Sequence, residues 1–122
     1  MKTLVIILNL VVAITLLNVW LIRYNKPTMY RGGDAKSMAE EFYTYGLPKW
    51  FMYFVGSMKI IIAILLIVGV WITSLNIYCY ISLSILMLGA IIMHLMVKDE
   101  IIKSAPALSI LTLLLILIGQ NL

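Results

Sequence analysis

At 122 residues, with 64% hydrophobic and 11% charged side chains, the chain lies outside the range of a soluble globular domain and reads as an integral membrane protein. Its net charge of +4 fits membrane topology and anionic lipid headgroups, and argues against a nucleic-acid partner. One cysteine and one histidine exclude an intramolecular disulfide, a haem held by two histidines of this chain and a Cys/His metal centre, so no bound metal is expected.

Four apolar runs, residues 3–22, 50–72, 77–97 and 105–122, are each long enough to span a bilayer as a helix. The first begins like a signal peptide but ends in Trp20-Leu21-Ile22-Arg23 without a small-x-small cleavage site, so it is expected to be retained. Asn18 lies near its end, and Asn9 is assigned no function. In the long connection that follows, Arg31-Gly-Gly-Asp34 reads as a turn, and Ser37-Met-Ala-Glu40 has capping-box spacing. A short helix over about residues 37–45 should follow and stop at Gly46 and Pro48. Its Phe42, Tyr43 and Tyr45 place it at the interface or in the bundle mouth.

The second run, 23 residues long, carries one charge, Lys59, near its middle. An ammonium at that depth costs about 3 kcal/mol on insertion scales, so it should face the bundle interior. The connection 73–76 suits a tight hairpin into the third run, which holds Cys79, a small buried residue, and His94. Ser104 is the expected cap of the fourth run, with Pro106 in its first turn. The fold expected is all-α: a single domain over 1–122, an antiparallel four-helix transmembrane bundle with a short interfacial helix in the first loop. Aromatic belts are expected at Trp20, Tyr24, Tyr45, Trp50 and Tyr53 on one boundary, and at Trp71, Tyr78 and Tyr80 on the other.

The long connections hold seven basic residues, against Lys2 alone on the other side. By the positive-inside rule both long loops are cytoplasmic and both termini outside.

Small residues mark the packing faces: Gly56 and Ala63 share a stripe with Lys59, and Gly89 and Ala90 precede His94. The two middle helices run antiparallel, which puts Lys59 about 14 Å and His94 about 5 Å below the cytoplasmic boundary at 1.5 Å per residue. Lysine snorkelling brings them together, and Asn18 falls at the same level. Lys59, His94 and Asn18 are therefore candidates for one polar pocket. Glu41 is the first expected counter-ion of Lys59, with Glu40 and Asp99 as alternatives. The plain alternatives are a structural ion pair for Lys59, an interfacial hydrogen bond for His94 and an interhelical one for Asn18.

Tyr45-Gly-Leu-Pro48, Gly56-Ser-Met-Lys59, Gly89-Ala90 with His94 and Asp99, and then Pro106 follow in an order that resembles the DoxX-like family of bacterial four-helix membrane proteins. Asn18-Val-Trp20-Leu-Ile-Arg23 followed by Tyr30-Arg-Gly-Gly33 is similar to one branch of it. The entry to the third helix, Ser74-Leu-Asn-Ile-Tyr78, departs from the charged and aromatic entry of many members. The resemblance implies, from some relatives, a membrane subunit associated with quinone-linked sulfur oxidation or oxidative-stress complexes, with catalysis in partner subunits; most relatives have no assigned activity. Two readings stand: a subunit that binds a quinone or similar amphipathic molecule in the Lys59/His94 pocket, or a non-enzymatic assembly partner or small anion carrier. No catalytic residue is nominated and no cofactor belongs to the chain itself, a quinone being the candidate ligand. The partners expected are the bilayer, membrane or redox subunits, and further copies of the chain in a homo-oligomer.

Overall fold

A computed structural model describes residues 2–121; Met1 and Leu122, the outer ends of the expected domain, lie outside the described residues. The chain forms α1 (Lys2–Leu17), a π-helical turn (Asn18–Ile22), α2 (Met38–Thr44), α3 (Lys49–Val68), α4 (Asn76–Met96) and α5 (Ala105–Asn121). Short 3-10 turns cover Thr73–Leu75 and Ile101–Ser104, and no strand occurs among the described residues. Four stretches, Thr3–Ile22, Lys49–Val68, Thr73–Met96 and Ile101–Asn121, are long and apolar enough to cross a membrane. A helix is the form such runs take in lipid, because every backbone donor and acceptor must be bonded within its own segment.

The ends of these helices are set by local chemistry. In α2 the Ser37 hydroxyl accepts the Glu40 amide at 3.2 Å, while the Glu40 carboxylate reaches back to the Lys36 amide at 3.3 Å. The helix closes where the Leu47 amide donates to Phe42 O and the Gly46 amide to Tyr43 O, with Gly46 at φ +75°, the left-handed conformation that glycine adopts without strain. The same pair of bonds ends α4, Asp99 N to His94 O and Lys98 N to Leu95 O, here with Lys98 at φ 58°.

Two sequence expectations change here. The second span stops at Val68 instead of residue 72. The Asn76 amide donates to Gly69 O at 3.2 Å, and a Cβ at Gly69 would lie 1.9 Å from Asn76 Oδ1, so this side chain fills the space beside the helix end. Ser104 does not cap α5, because the chain is already wound from Ile101 and Ser104 lies buried inside the turn.

Around the ring, α1 packs along α3 and α4 along α5, while α3 against α4 and α1 against α5 close it more loosely. All four spans contribute to the main core, through residues such as Val12, Ala63, Leu83 and Leu114. A second cluster, Trp20, Met38, Phe42 and Met52, docks α2 into the mouth of the bundle against the π-helical turn and α3. Gly56 makes this possible: its missing Cβ would sit 2.6 Å from the Trp20 ring. Ala63 is fully buried, as its place on the Lys59 stripe requires.

Gly89 does not join helices, contrary to expectation. It is exposed with open space where a Cβ would stand, and both Gly89 and Ala90 line a cavity. Asn9 also departs from its reading. It is fully buried and donates to Leu66 O and Asn76 Oδ1 at 3.1 Å each, while the Tyr80 hydroxyl donates to its Oδ1 at 2.5 Å. This network ties α1, α3 and α4 at the end away from the long loops. Trp50, Tyr53, Trp71 and Tyr78 are exposed as belt residues should be, whereas Trp20 and Tyr80 are buried. Tyr45 also leaves the belt, because its hydroxyl bonds to Glu41.

Candidate functional site: a capped intramembrane cavity

Between α2 and the long-loop halves of the spans lies a cavity of about 830 Å³ with mainly apolar walls. Asn18, Lys59 and His94 all line it, so the three residues picked out by depth share one space. Glu41 lines it as well. Glu40 does not: it is exposed and occupied in capping α2.

The expected Lys59–Glu41 ion pair does not form. Glu41 Oε2 instead takes Arg31 Nη1 at 3.1 Å, and its Oε1 accepts the Tyr45 hydroxyl at 2.7 Å. Arg31, whose side chain is only 5% exposed, also donates through Nη2 to Arg23 O at 2.6 Å and Tyr24 O at 3.2 Å, and through Nε to Lys26 O at 3.3 Å. These carbonyls lie just beyond the helix end at Ile22, where a cation still meets the negative end of the dipole. Arg31 thus stitches the end of the first span to α2. Lys59 is left with the face of Trp20, 5.4 Å from the ring centroid.

Asp99, the third expected counter-ion, is also committed elsewhere. Its Oδ2 lies 2.8 Å from His94 Nδ1, its Oδ1 accepts the Gly33 amide at 3.0 Å, and Lys103 Nζ stands 3.8 Å away. Lys103 donates in turn to Gly33 O. Because the carboxylate only accepts, the proton in the His94–Asp99 bond sits on Nδ1. Burial pushes the Asp99 carboxyl upward, but the bond from His94, the Gly33 amide and the Lys103 charge outweigh it and hold the group below its ordinary 3.8.

Tyr45 joins the two carboxylate centres. While donating to Glu41, its oxygen lies 3.3 Å from His94 Nδ1 and 3.5 Å from Nε2, with the rings edge to face. Burial, then the Glu41 charge and hydrogen bond, push its hydroxyl well above the ordinary 10, so Tyr45 stays protonated through the alkaline range. Gly32 gives it room, since a Cβ there would lie 2.6 Å from the Tyr45 ring. A polar frame therefore runs across the mouth of the cavity in two bonded halves, Arg31–Glu41–Tyr45 and His94–Asp99–Lys103, which meet edge to face at Tyr45 and His94.

Asn18 faces the cavity, as the pocket reading expects, with no side-chain hydrogen bond among the described residues in place of the alternative interhelical one. It stands in the π-helical turn closed by Arg23 N to Asn18 O at 2.9 Å. Such turns are frequent at functional sites. Sequence reasoning missed Arg31, Tyr45 and Lys103 as parts of the site. In the sequence Arg31 reads as a turn and topology charge, Lys103 as a topology charge, and Tyr45 as a belt residue on a helix at the interface or bundle mouth. Among the described residues no group of three His, Cys, Asp or Glu side chains could hold a metal ion.

Chemically, the frame offers hydrogen-bond donors and acceptors at one end of an apolar chamber, and Lys59 offers a cation deeper inside. No curated protein and no solved structure matches the chain. The profile of the DoxX-like family matches residues 28–119, which takes in α2 to α5, the polar frame and Lys59. With four membrane-spanning helices in this arrangement, the chain belongs to the DoxX-like family of integral membrane proteins.

Proposed function

We propose that the protein is a membrane subunit that binds a quinone or another amphipathic small molecule in the capped cavity. The observation that carries this reading is the cavity itself. Its 830 Å³ lies within the range of small-molecule sites, its walls are apolar, and its few polar groups converge from different helices. An amphipathic ligand has matching parts: an apolar body for the walls, and a carbonyl head for Lys59 or His94 to hydrogen-bond. Redox steps on such a ligand belong to partner subunits, since this chain offers no electron carrier of its own.

Organic extraction of the protein purified in mild detergent tests this directly. A quinone or another amphiphile is expected in near-stoichiometric amount, and Lys59→Met should lower that amount while the helical content stays unchanged. A protein that extracts clean and also fails to bind added short-chain ubiquinone overturns the reading. If redox subunits co-purify after crosslinking, the assembly role stands beside the binding role.

The charge skew supports an orientation in the inner membrane with the long loops, and so the polar frame, cytoplasmic. A phosphatase reporter fused after Leu122 is expected to be active outside the cytoplasm. Activity of a cytoplasm-only reporter at that position reverses the orientation.

A further inference from the structure

Around the cavity the charged side chains are not equally satisfied. Arg31 has Glu41, and His94 and Lys103 share Asp99. Lys59 has no carboxylate within 4.0 Å among the described residues. Glu41 acts on it through space, but both Glu41 oxygens are already bonded, one to Arg31 and one to Tyr45. In total, four basic side chains, Arg23, Arg31, Lys59 and Lys103, line the walls against the single carboxylate of Glu41. A cation in a low-dielectric chamber attracts a counter-charge far more strongly than one in water.

We infer that the ligand of this cavity is an amphiphile with an anionic head, which completes the missing ion pair of Lys59, with a long-chain carboxylate as the reference case. This rests on the cavity-binding reading above and narrows it from amphiphiles in general to acidic ones. The head sits between Lys59 and the free Asn18 amide, which supplies a second donor from the π-helical turn. The Trp20 face closes the other side of the ammonium, so the anion approaches from the cavity. The apolar body lies along the Gly89–Ala90 wall, where no Cβ of residue 89 intrudes. The site selects its ligand by charge at the head and only loosely by shape along the tail.

The test compares a fluorescent long-chain fatty acid with its methyl ester on the full chain in nanodiscs of zwitterionic lipid at pH 8. The acid should bind about tenfold tighter than the ester, as one charge-assisted hydrogen bond implies. Lys59→Met should bring the acid down to the level of the ester, and Lys59→Arg should keep most of the preference. Circular dichroism and retained ester binding establish that the variants are folded. Equal binding of acid and ester, or a preference that survives Lys59→Met, overturns the inference while leaving the cavity reading intact. Failure of acid, ester and ubiquinone alike overturns the cavity reading itself. Nanodiscs containing phosphatidylglycerol separate the sources: displacement of the acid there assigns the anion to a bilayer lipid, and no displacement to a free acid.

Discussion

Arg31→Met is expected to release the cap over the cavity and to lower stability by about 3–5 kcal/mol, the cost of removing one partner from a buried pair. Three things are lost at once: the charge that balances Glu41, the donors that satisfy the carbonyls of Arg23, Tyr24 and Lys26, and the strap that holds the long loop to α2. Glu41→Gln should be destabilising for the mirror reason, because it strands the Arg31 guanidinium. The double variant should recover part of the loss, since neither charge is then left alone. Lys59→Met, in contrast, removes a cation without a bonded carboxylate and should leave stability unchanged or raised. Unfolding in mixed micelles, with limited proteolysis between Arg23 and Ser37, measures all four. If Arg31→Met costs less than Lys59→Met, Arg31 does not organise the cap.

The second large effect belongs to Asp99. Its carboxylate holds His94, the Gly33 amide and Lys103, and so fastens the loop that is built on α1 and α3 to the α4–α5 pair. Asp99→Asn should cost about 2–3 kcal/mol, the range for hydrogen bonds to a charged group. The wild type should lose this stabilisation in acid, and the sign follows from linkage. Folding depresses the Asp99 pKa, so the stabilisation is complete above the unfolded value of 3.8 and fades as pH falls below it toward the folded value. Melting curves of the two proteins should therefore lie apart at pH 6 and converge below about pH 4. A gap that stays constant down to pH 3 assigns the loss to something other than this carboxylate. Convergence would also mean that acid loosens the same latch that the substitution breaks.

Much of this architecture is written locally. Run length and hydropathy determined the four spans, because a bilayer imposes one length on every helix that crosses it. The Ser37 cap and the Gly46 stop were legible because each is a bond between residues three to five apart. Depth along the helices was enough to bring Asn18, Lys59 and His94 into one cavity, since antiparallel helices of known rise fix which residues share a level.

Tertiary structure decided who bonds to whom. Glu41 chose Arg31 over Lys59, although sequence distance and charge allowed both. The choice depends on the path of the loop, which brings the guanidinium to the carboxylate and to three loop carbonyls together. Trp20 and Tyr80 left the belt because Gly56 opened a seat for one and Asn9 offered a buried acceptor to the other. Gly89 looked like a packing glycine, but a small residue on a helix permits close approach without supplying a neighbour, and at that level the neighbouring space is the cavity. Periodicity and depth are properties of one helix and can be read along the chain. The partner of a buried polar group is set by rotation about several helix axes at once, and that appears only when the bundle is assembled.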